Sequence, residues 1–207
     1  SPDNEMAFYT RRYNRQKRGD YFPVSIEEFT VSRRKDSLFD NGDLMRPPFN
    51  QNNNEGGATI TVDNKHLFFT VCKREWNYIN CDIYCSDFDS GSWGAIRNMG
   101  PVINDPKAWD SQPSVSPDGN TLYFASNRDS TQGVDIYRSV RGSKGEWQLP
   151  VNIGPPVNTA GNEKSPFIHS DRRTLYFTSD GHRGLGGFDI FFSRMGADGI
   201  FSRPQNI

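Results

Sequence analysis

The chain has 207 residues, with 24 Lys+Arg against 25 Asp+Glu and a formal net charge of −1. That balance excludes a nucleic-acid binder working by bulk positive charge, and equally an acidic disordered tail. Hydrophobic residues are only 34% while aromatics reach 13%, and no apolar run approaches the roughly 18 residues a spanning helix needs, so many short strands are expected and no membrane-spanning segment.

Four similar segments follow one another along the chain. The first opens on Ser1-Pro2-Asp3 and Met6-Ala7-Phe8-Tyr9-Thr10. It continues through Glu28-Phe29-Thr30-Val31-Ser32, then Phe39, then Pro47-Pro48-Phe49-Asn50. The second runs through Val62-Asp63, His66-Leu67-Phe68-Phe69-Thr70, Asp82-Ile83-Tyr84-Cys85-Ser86, Trp93 and Pro101-Val102-Ile103-Asn104. The third has Ser116-Pro117-Asp118-Gly119, Thr121-Leu122-Tyr123-Phe124-Ala125-Ser126, Asp135-Ile136-Tyr137-Arg138-Ser139, Trp147 and Pro155-Pro156-Val157-Asn158. The fourth has Ser170-Asp171, Thr174-Leu175-Tyr176-Phe177-Thr178-Ser179, Asp189-Ile190-Phe191-Phe192-Ser193 and Phe201. From Met6 to His66 is 60 residues, from His66 to Thr121 is 55 and from Thr121 to Thr174 is 53.

Each segment reads as four short strands. In the third they are placed at Pro113–Ser116, Leu122–Ala125, Asp135–Arg138 and around Trp147. The Ser-Pro-Asp-Gly turn joins the first two, with Pro where φ is preset and Gly where positive φ is cheap. No stretch carries apolar residues at helical spacing. Four antiparallel strands per repeat without helices predict an all-β propeller, with blades at 1–50, 51–104, 105–158 and 159–207. A single blade cannot bury its own faces, so the large aromatics must fill the layers between blades. Asp118, Asp135, Asp189, Trp93 and Trp147 recur at fixed blade positions and are assigned structural roles. The first blade lacks its first strand, so these residues are expected to be an excerpt, with a further blade or closing strand outside them.

The phrase Ser116 to Arg128, followed by Asp135-Ile136-Tyr137, resembles the TolB-type, WD-like β-propeller repeat. The linker Leu149 to Thr159 and the stretch Thr178 to Ile190 are similar to a narrower group. That group is the propellers of periplasmic, outer-membrane-associated proteins of Bacteroidetes that also carry an OmpA-like domain, a component of type IX secretion among them. The resemblance implies a non-catalytic scaffold in a cell-envelope assembly, with other envelope proteins as partners. It places peptidoglycan binding on a separate domain. Val62-Asp63-Asn64, Ser170-Asp171-Arg172 and Glu28 depart from the repeat pattern.

Chemistry is sparse. No G-x-S-x-G elbow occurs, and His66, His169 and His182 have no metal-ligand spacing. No catalytic residue, cofactor or metal is therefore assigned. The glycine-rich stretch from Asp180 to Gly187 opens a strand rather than a helix, so it lacks the helix terminus that holds phosphate. A calcium site on Asp180 and Asp189 has too few carboxylates against about six to eight oxygen ligands. Cys72, Cys81 and Cys85 read first as buried or half-buried strand thiols, next as a Cys72–Cys81 disulfide across a hairpin, and last as a zinc site. The alternative function is a glycan- or peptide-hydrolysing propeller with two carboxylates facing each other in the channel.

The loops between second and third strands form the candidate partner-binding rim. Arg11, Arg12, Arg15, Lys17 and Arg18 are read as an exposed cationic loop, a non-repeating insertion of the kind that sits on binding faces. Trp76 and Tyr78 occupy the corresponding loop of the second blade, and Arg128, His182 and Arg183 those of the third and fourth.

Overall fold

The computed structural model describes residues 1, 4–16, 19, 21–51, 54–75, 78–128 and 133–207; the side chains of residues 24, 74, 75, 78 and 79 lie outside the description. The fold is a β-propeller of four antiparallel blades, without helices among the described residues. The first blade holds β1 (Met6–Arg15), β2 (Val24–Lys35), β3 (Leu38–Phe39) and β4 (Asp43–Leu44). The second holds β5 (Asn54–Ile60), β6 (His66–Glu75), β7 (Tyr78–Asp89), β8 (Ser92–Trp93) and β9 (Arg97–Asn98). The third holds β10 (Asp110–Val115), β11 (Thr121–Ser126), β12 (Asp135–Val140) and β13 (Val151–Asn152). The fourth holds β14 (Glu163–Ile168), β15 (Thr174–Ser179), β16 (Asp189–Arg194) and β17 (Gln205–Asn206). In the third and fourth blades strands pair in chain order, each antiparallel to its neighbour.

Two strand placements differ from those expected. The inner strand β10 begins at Asp110 rather than Pro113, because a bulge carries it past the proline. Gln112 takes φ 56° there, the register shifts between Ser111 and Ser114, and Pro113 need donate nothing. Ser165, ahead of Pro166, repeats this at φ 50°, and Gly57 at φ 58°. The outer strand of the third blade is Val151–Asn152, not the surroundings of Trp147, which makes only an isolated bridge with Arg141. Trp147 is drawn back onto Phe68 of the preceding blade, ring centroids 6.0 Å apart, with the Arg141 guanidinium 4.4 Å from its ring.

That backward reach recurs. Trp93 meets Phe8 at 6.5 Å, Trp147 meets Phe68 at 6.0 Å and Phe201 meets Tyr123 at 6.3 Å. In every case an outer aromatic packs on the second-strand aromatic of the blade before. Three apolar layers result. Phe29 and Phe49 pack on Leu67, Phe69 and Tyr84; Phe68, Ile83 and Ile103 pack on Leu122, Phe124 and Tyr137; Tyr123, Ile136 and Val157 pack on Leu175, Phe177 and Phe191. Ile83 and Ile136 are wholly buried by the blade that follows, whereas their counterpart Ile190 is 54% exposed on the forward face of the fourth blade.

Linker asparagines lock the stack. Asn50 accepts from the Phe29 amide (2.7 Å) and donates to its carbonyl (2.9 Å). Asn104 does the same to Ile83 (2.8 and 2.9 Å), and Asn158 to Ile136 (3.0 and 2.9 Å). Just after each asparagine, a buried acid at the start of the next inner strand receives a linker amide. Asn50 donates to Glu55 (2.9 Å), Asp105 to Asp110 (2.7 Å) and Thr159 to Glu163 (2.8 Å). Hydroxyls and one amide stitch the inner strands: Val115 donates to Thr59 Oγ1 (3.2 Å), Ile168 to Ser114 Oγ (2.9 Å) and Ser165 to Gln112 Oε1 (2.9 Å).

Each turn aspartate bonds within its own turn, and Asp118 also takes Arg172 of the next blade (2.9 Å). Asp63 takes the Thr61 hydroxyl (2.5 Å) and the Lys65 amide (3.0 Å). Asp118 takes the Ser116 hydroxyl (2.5 Å), and Asp171 the Thr174 amide (2.8 Å) and hydroxyl (2.7 Å). For Asp63 the Thr61 bond holds the carboxyl below its usual range. For Asp118 and Asp171 burial works the other way and is outweighed by their hydrogen bonds, so both also titrate low.

Replacing Asn104 by Ala strands the buried amide and carbonyl of Ile83, so urea unfolding should show a loss of about 2–4 kcal/mol; a loss under about 1 kcal/mol would refute the clamp. The depressed aspartates set a pH dependence. A folded pKa below the unfolded value of about 3.9 contributes stability above roughly pH 4 that is lost as pH falls through the folded pKa. Melting temperature should therefore drop from pH 4 to pH 2, and more shallowly in Asp171→Asn; identical slopes would contradict the assignment.

Candidate interaction surface

The second and third strands are six residues each in the third and fourth blades (β11, β12, β15, β16). In the first two blades they are ten and twelve residues long (β1, β2, β6, β7). At about 3.3 Å per residue, the extra four or more residues carry these two hairpins roughly 13 Å beyond the disc, both at the same end.

The first projecting hairpin corrects the expectation of a cationic loop. Arg11, Arg12 and Arg15 lie in strand β1, where Arg11 stands opposite Glu28 and Arg12 opposite Glu27. Opposite charges facing across antiparallel strands favour the strand over a free loop. Arg12 pairs with Glu27, and Arg11 donates to the Asn41 carbonyl (2.7 Å) and the Tyr9 hydroxyl (3.1 Å). Tyr13 donates to Glu28, which together with burial pushes its phenol up. Arg15 is exposed, and Lys17 and Arg18 lie outside the described residues. Near the tip, Tyr21 is 94% exposed and Phe22 80% exposed.

The second projecting hairpin is stapled. Cys72 and Cys81 face each other in register with Cα atoms 4.0 Å apart and form a disulfide, so the first reading of these two as thiols gives way to the second. Cys85 is the free cysteine; burial pushes its thiol up despite Arg97 beside it. Trp76 lies outside the described residues, as does the side chain of Tyr78, which opens β7.

The remaining rim residues differ among themselves. Arg128 is turned inward, its side chain 9% exposed, bonded to Asp110 at 2.5 Å and lying over the rings of Phe124 (5.0 Å) and Tyr137 (5.3 Å). Burial keeps Asp110 raised even with this partner. His182 is half-buried against Phe177 and Phe191 and donates from Nε2 to the Val157 carbonyl (2.8 Å). Arg183 is exposed in the glycine-rich loop beside Leu185. That loop is folded by Asp189, which accepts the amides of Leu185 (2.6 Å) and Gly186 (3.1 Å). Its counterparts Asp82 and Asp135 accept instead from Asn98 and Asn152 (both 2.8 Å), and Asp180 from Asn162 (2.6 Å). Among the described residues, no three His, Cys, Asp or Glu side chains come together in a metal-holding group.

The propeller axis opens into a cavity of about 420 Å³. Its wall is made by Phe8, Ile60, Val115, Phe167 and Ile168, by Pro113, Pro117 and Pro166, and by the hydroxyls of Thr59, Ser114 and Ser170; among the described residues the lining holds no carboxylate. No helix of the described residues is long and apolar enough to cross a membrane.

Sequence reasoning passed over Tyr21 and Phe22, although two aromatics beside Pro23 in a polar stretch carry the signal. It also passed over Glu55, Asp110 and Glu163, whose spacing from Asn50, Asn104 and Asn158 (five, six and five residues) was legible.

No family model matches the chain, and no curated protein matches it. Solved structures do. A protein assigned as a TolB from Agrobacterium tumefaciens aligns over 100% of this chain and 77% of its own, at 19% identity and a TM-score of 0.54. A glycosyl hydrolase from Bacteroides ovatus aligns over 97% of this chain and 67% of its own, at 10% identity and a TM-score of 0.53. A Trypanosoma rangeli sialidase aligns over 95% of this chain and 35% of its own, at 12% identity and a TM-score of 0.52. At such identities the likeness is one of fold, and it is the fold the blades already spell out: a β-propeller, similar to that of TolB.

Proposed function

We propose that this propeller is a non-catalytic protein-interaction scaffold within a cell-envelope assembly, and that it engages its partner through the projecting hairpins of the first two blades. The observation that carries the reading is the β1–β2 hairpin. It stands out from the disc, is braced by the cross-strand Arg12–Glu27 pair, and carries exposed Arg15 and two nearly bare aromatics, Tyr21 and Phe22. Exposed aromatics next to arginine are the residue types that dominate binding energy at protein interfaces. The cross-strand disulfide in the neighbouring hairpin fits an oxidising compartment. The sequence resemblance supports the finer placement: periplasmic, outer-membrane-associated, with type IX secretion as the assembly.

The alternative, glycan or peptide hydrolysis, is favoured by the glycosyl hydrolase and sialidase that share the fold. For a glycoside it usually takes two carboxylates about 5–9 Å apart around the scissile bond. The axial cavity offers proline, aliphatic and hydroxyl groups in their place, which favours the scaffold.

The test is the double variant Tyr21→Ser/Phe22→Ser. Both side chains are solvated, so the melting temperature should stay within about 2 °C of wild type. Recovery of specific envelope proteins on the immobilised protein should fall at least about tenfold, as loss of an aromatic hot spot predicts. Undiminished recovery would remove this hairpin from the interface.

A further inference from the structure

The groove between the third and fourth blades holds a cation without a counter-ion. The residue after the third-strand aromatic is Cys85 in the second blade, Phe192 in the fourth and Arg138 in the third. Arg138 is half-buried; its Nε is closed off from water and has no acceptor. One terminal nitrogen lies 3.8 Å from Met195 Sδ, and the Tyr123 hydroxyl is a second polar neighbour. Among the described residues no carboxylate pairs with it. A charge taken out of water is unfavourable unless it is paired.

The groove, about 290 Å³, is also lined by Arg172, Arg173, Asp118 and Asp171. Both carboxylates are already engaged. Asp118 takes the Ser116 hydroxyl (2.5 Å), the Asn120 amide (3.2 Å) and Arg172 Nη1 (2.9 Å). Asp171 takes the amides of Arg173 (2.9 Å) and Thr174 (2.8 Å) and the Thr174 hydroxyl (2.7 Å). Three guanidinium groups against two carboxylates leave the groove net positive. Arg172 (φ 59°) occupies the left-handed turn position that Asn64 (φ 58°) and Gly119 (φ 70°) fill in the preceding blades. That turn geometry belongs to the blade, and in the fourth blade it sets a guanidinium at the groove mouth.

We propose that this groove binds a tetrahedral oxyanion, a phosphate or sulfate group, free or as a monoester. Arg138 supplies the buried donor, and Arg172 and Arg173 close over the outer oxygens. Several donors converging from two blades suit the four oxygens of a tetrahedral anion. The bound anion would tie the third blade to the fourth.

The test is calorimetric titration of the wild-type protein with inorganic phosphate and with phenyl phosphate, in chloride buffer at constant ionic strength. Arg138→Leu and Arg172→Asn are measured beside it. Leu is tolerable at 138 because the equivalent positions are Cys and Phe, and Asn already fills the equivalent turn position at 64. The proposal predicts saturable one-site binding, weakened at least tenfold in Arg138→Leu and measurably in Arg172→Asn, with phosphate raising the melting temperature of the wild type more than that of either variant. Equal binding of the two probes indicates the free ion, and tighter binding of phenyl phosphate indicates the monoester. Absence of saturable binding, or equal binding by wild type and both variants, overturns it. If Arg138→Leu does not fold, Arg172→Asn decides alone.

Discussion

A blade face must be buried by the next blade, and the rest of this structure follows from that constraint. Four short strands cannot enclose a core, so each sheet presents an apolar forward face that only its neighbour can cover. Ile83 and Ile136 show the covered state and Ile190 the open one. The outer aromatics Trp93, Trp147 and Phe201 reach backward across the same boundary. Asn50, Asn104 and Asn158 then fix the register by bonding both backbone groups of the central third-strand residue. Packing supplies the driving force between blades and these amide clamps supply the geometry.

A disc built this way has two kinds of surface. The interior of the stack is occupied by structure, and residues drawn into it lose their freedom to act elsewhere. Arg128 is the clearest case: its position in a rim loop suggests an exposed cation, yet Asp110 is a buried acid that needs a partner and draws the guanidinium inward. The free surface is what rises above the stack, namely the β1–β2 and β6–β7 hairpins. Their extra length rests on local devices rather than on a core, the cross-strand Arg12–Glu27 pair in one and a disulfide in the other. Surfaces held by local pairing tolerate variation at their tips, which suits recognition.

The blade architecture was legible in the sequence because every blade repeats the same landmarks at nearly constant spacing. Asp118, Trp147 and Asn158 announce a turn, an outer aromatic and a linker from residue type and spacing alone. Strand edges were less legible. Gln112 and Ser165 bulge the inner strands, and neither residue type advertises a positive φ. The cationic stretch at Arg11–Arg15 reads as a loop in the sequence because its register partners, Glu27 and Glu28, lie well along the chain and only register brings them opposite. The pairing of Cys72 with Cys81 was open for the same reason: spacing permits a hairpin disulfide, but register decides it.

The central claim is that the projecting hairpins, not the axial cavity, meet the partner. In-cell photocrosslinking tests it most directly, with a photoreactive residue at Tyr21, at Arg183 or at Phe167 in the cavity wall, followed by mass spectrometry of the joined peptides. The account predicts reproducible links from position 21 to one envelope protein, fewer from 183 and none from 167. Links concentrated at 167, to a peptide or a glycan, would contradict it and move the function to the channel.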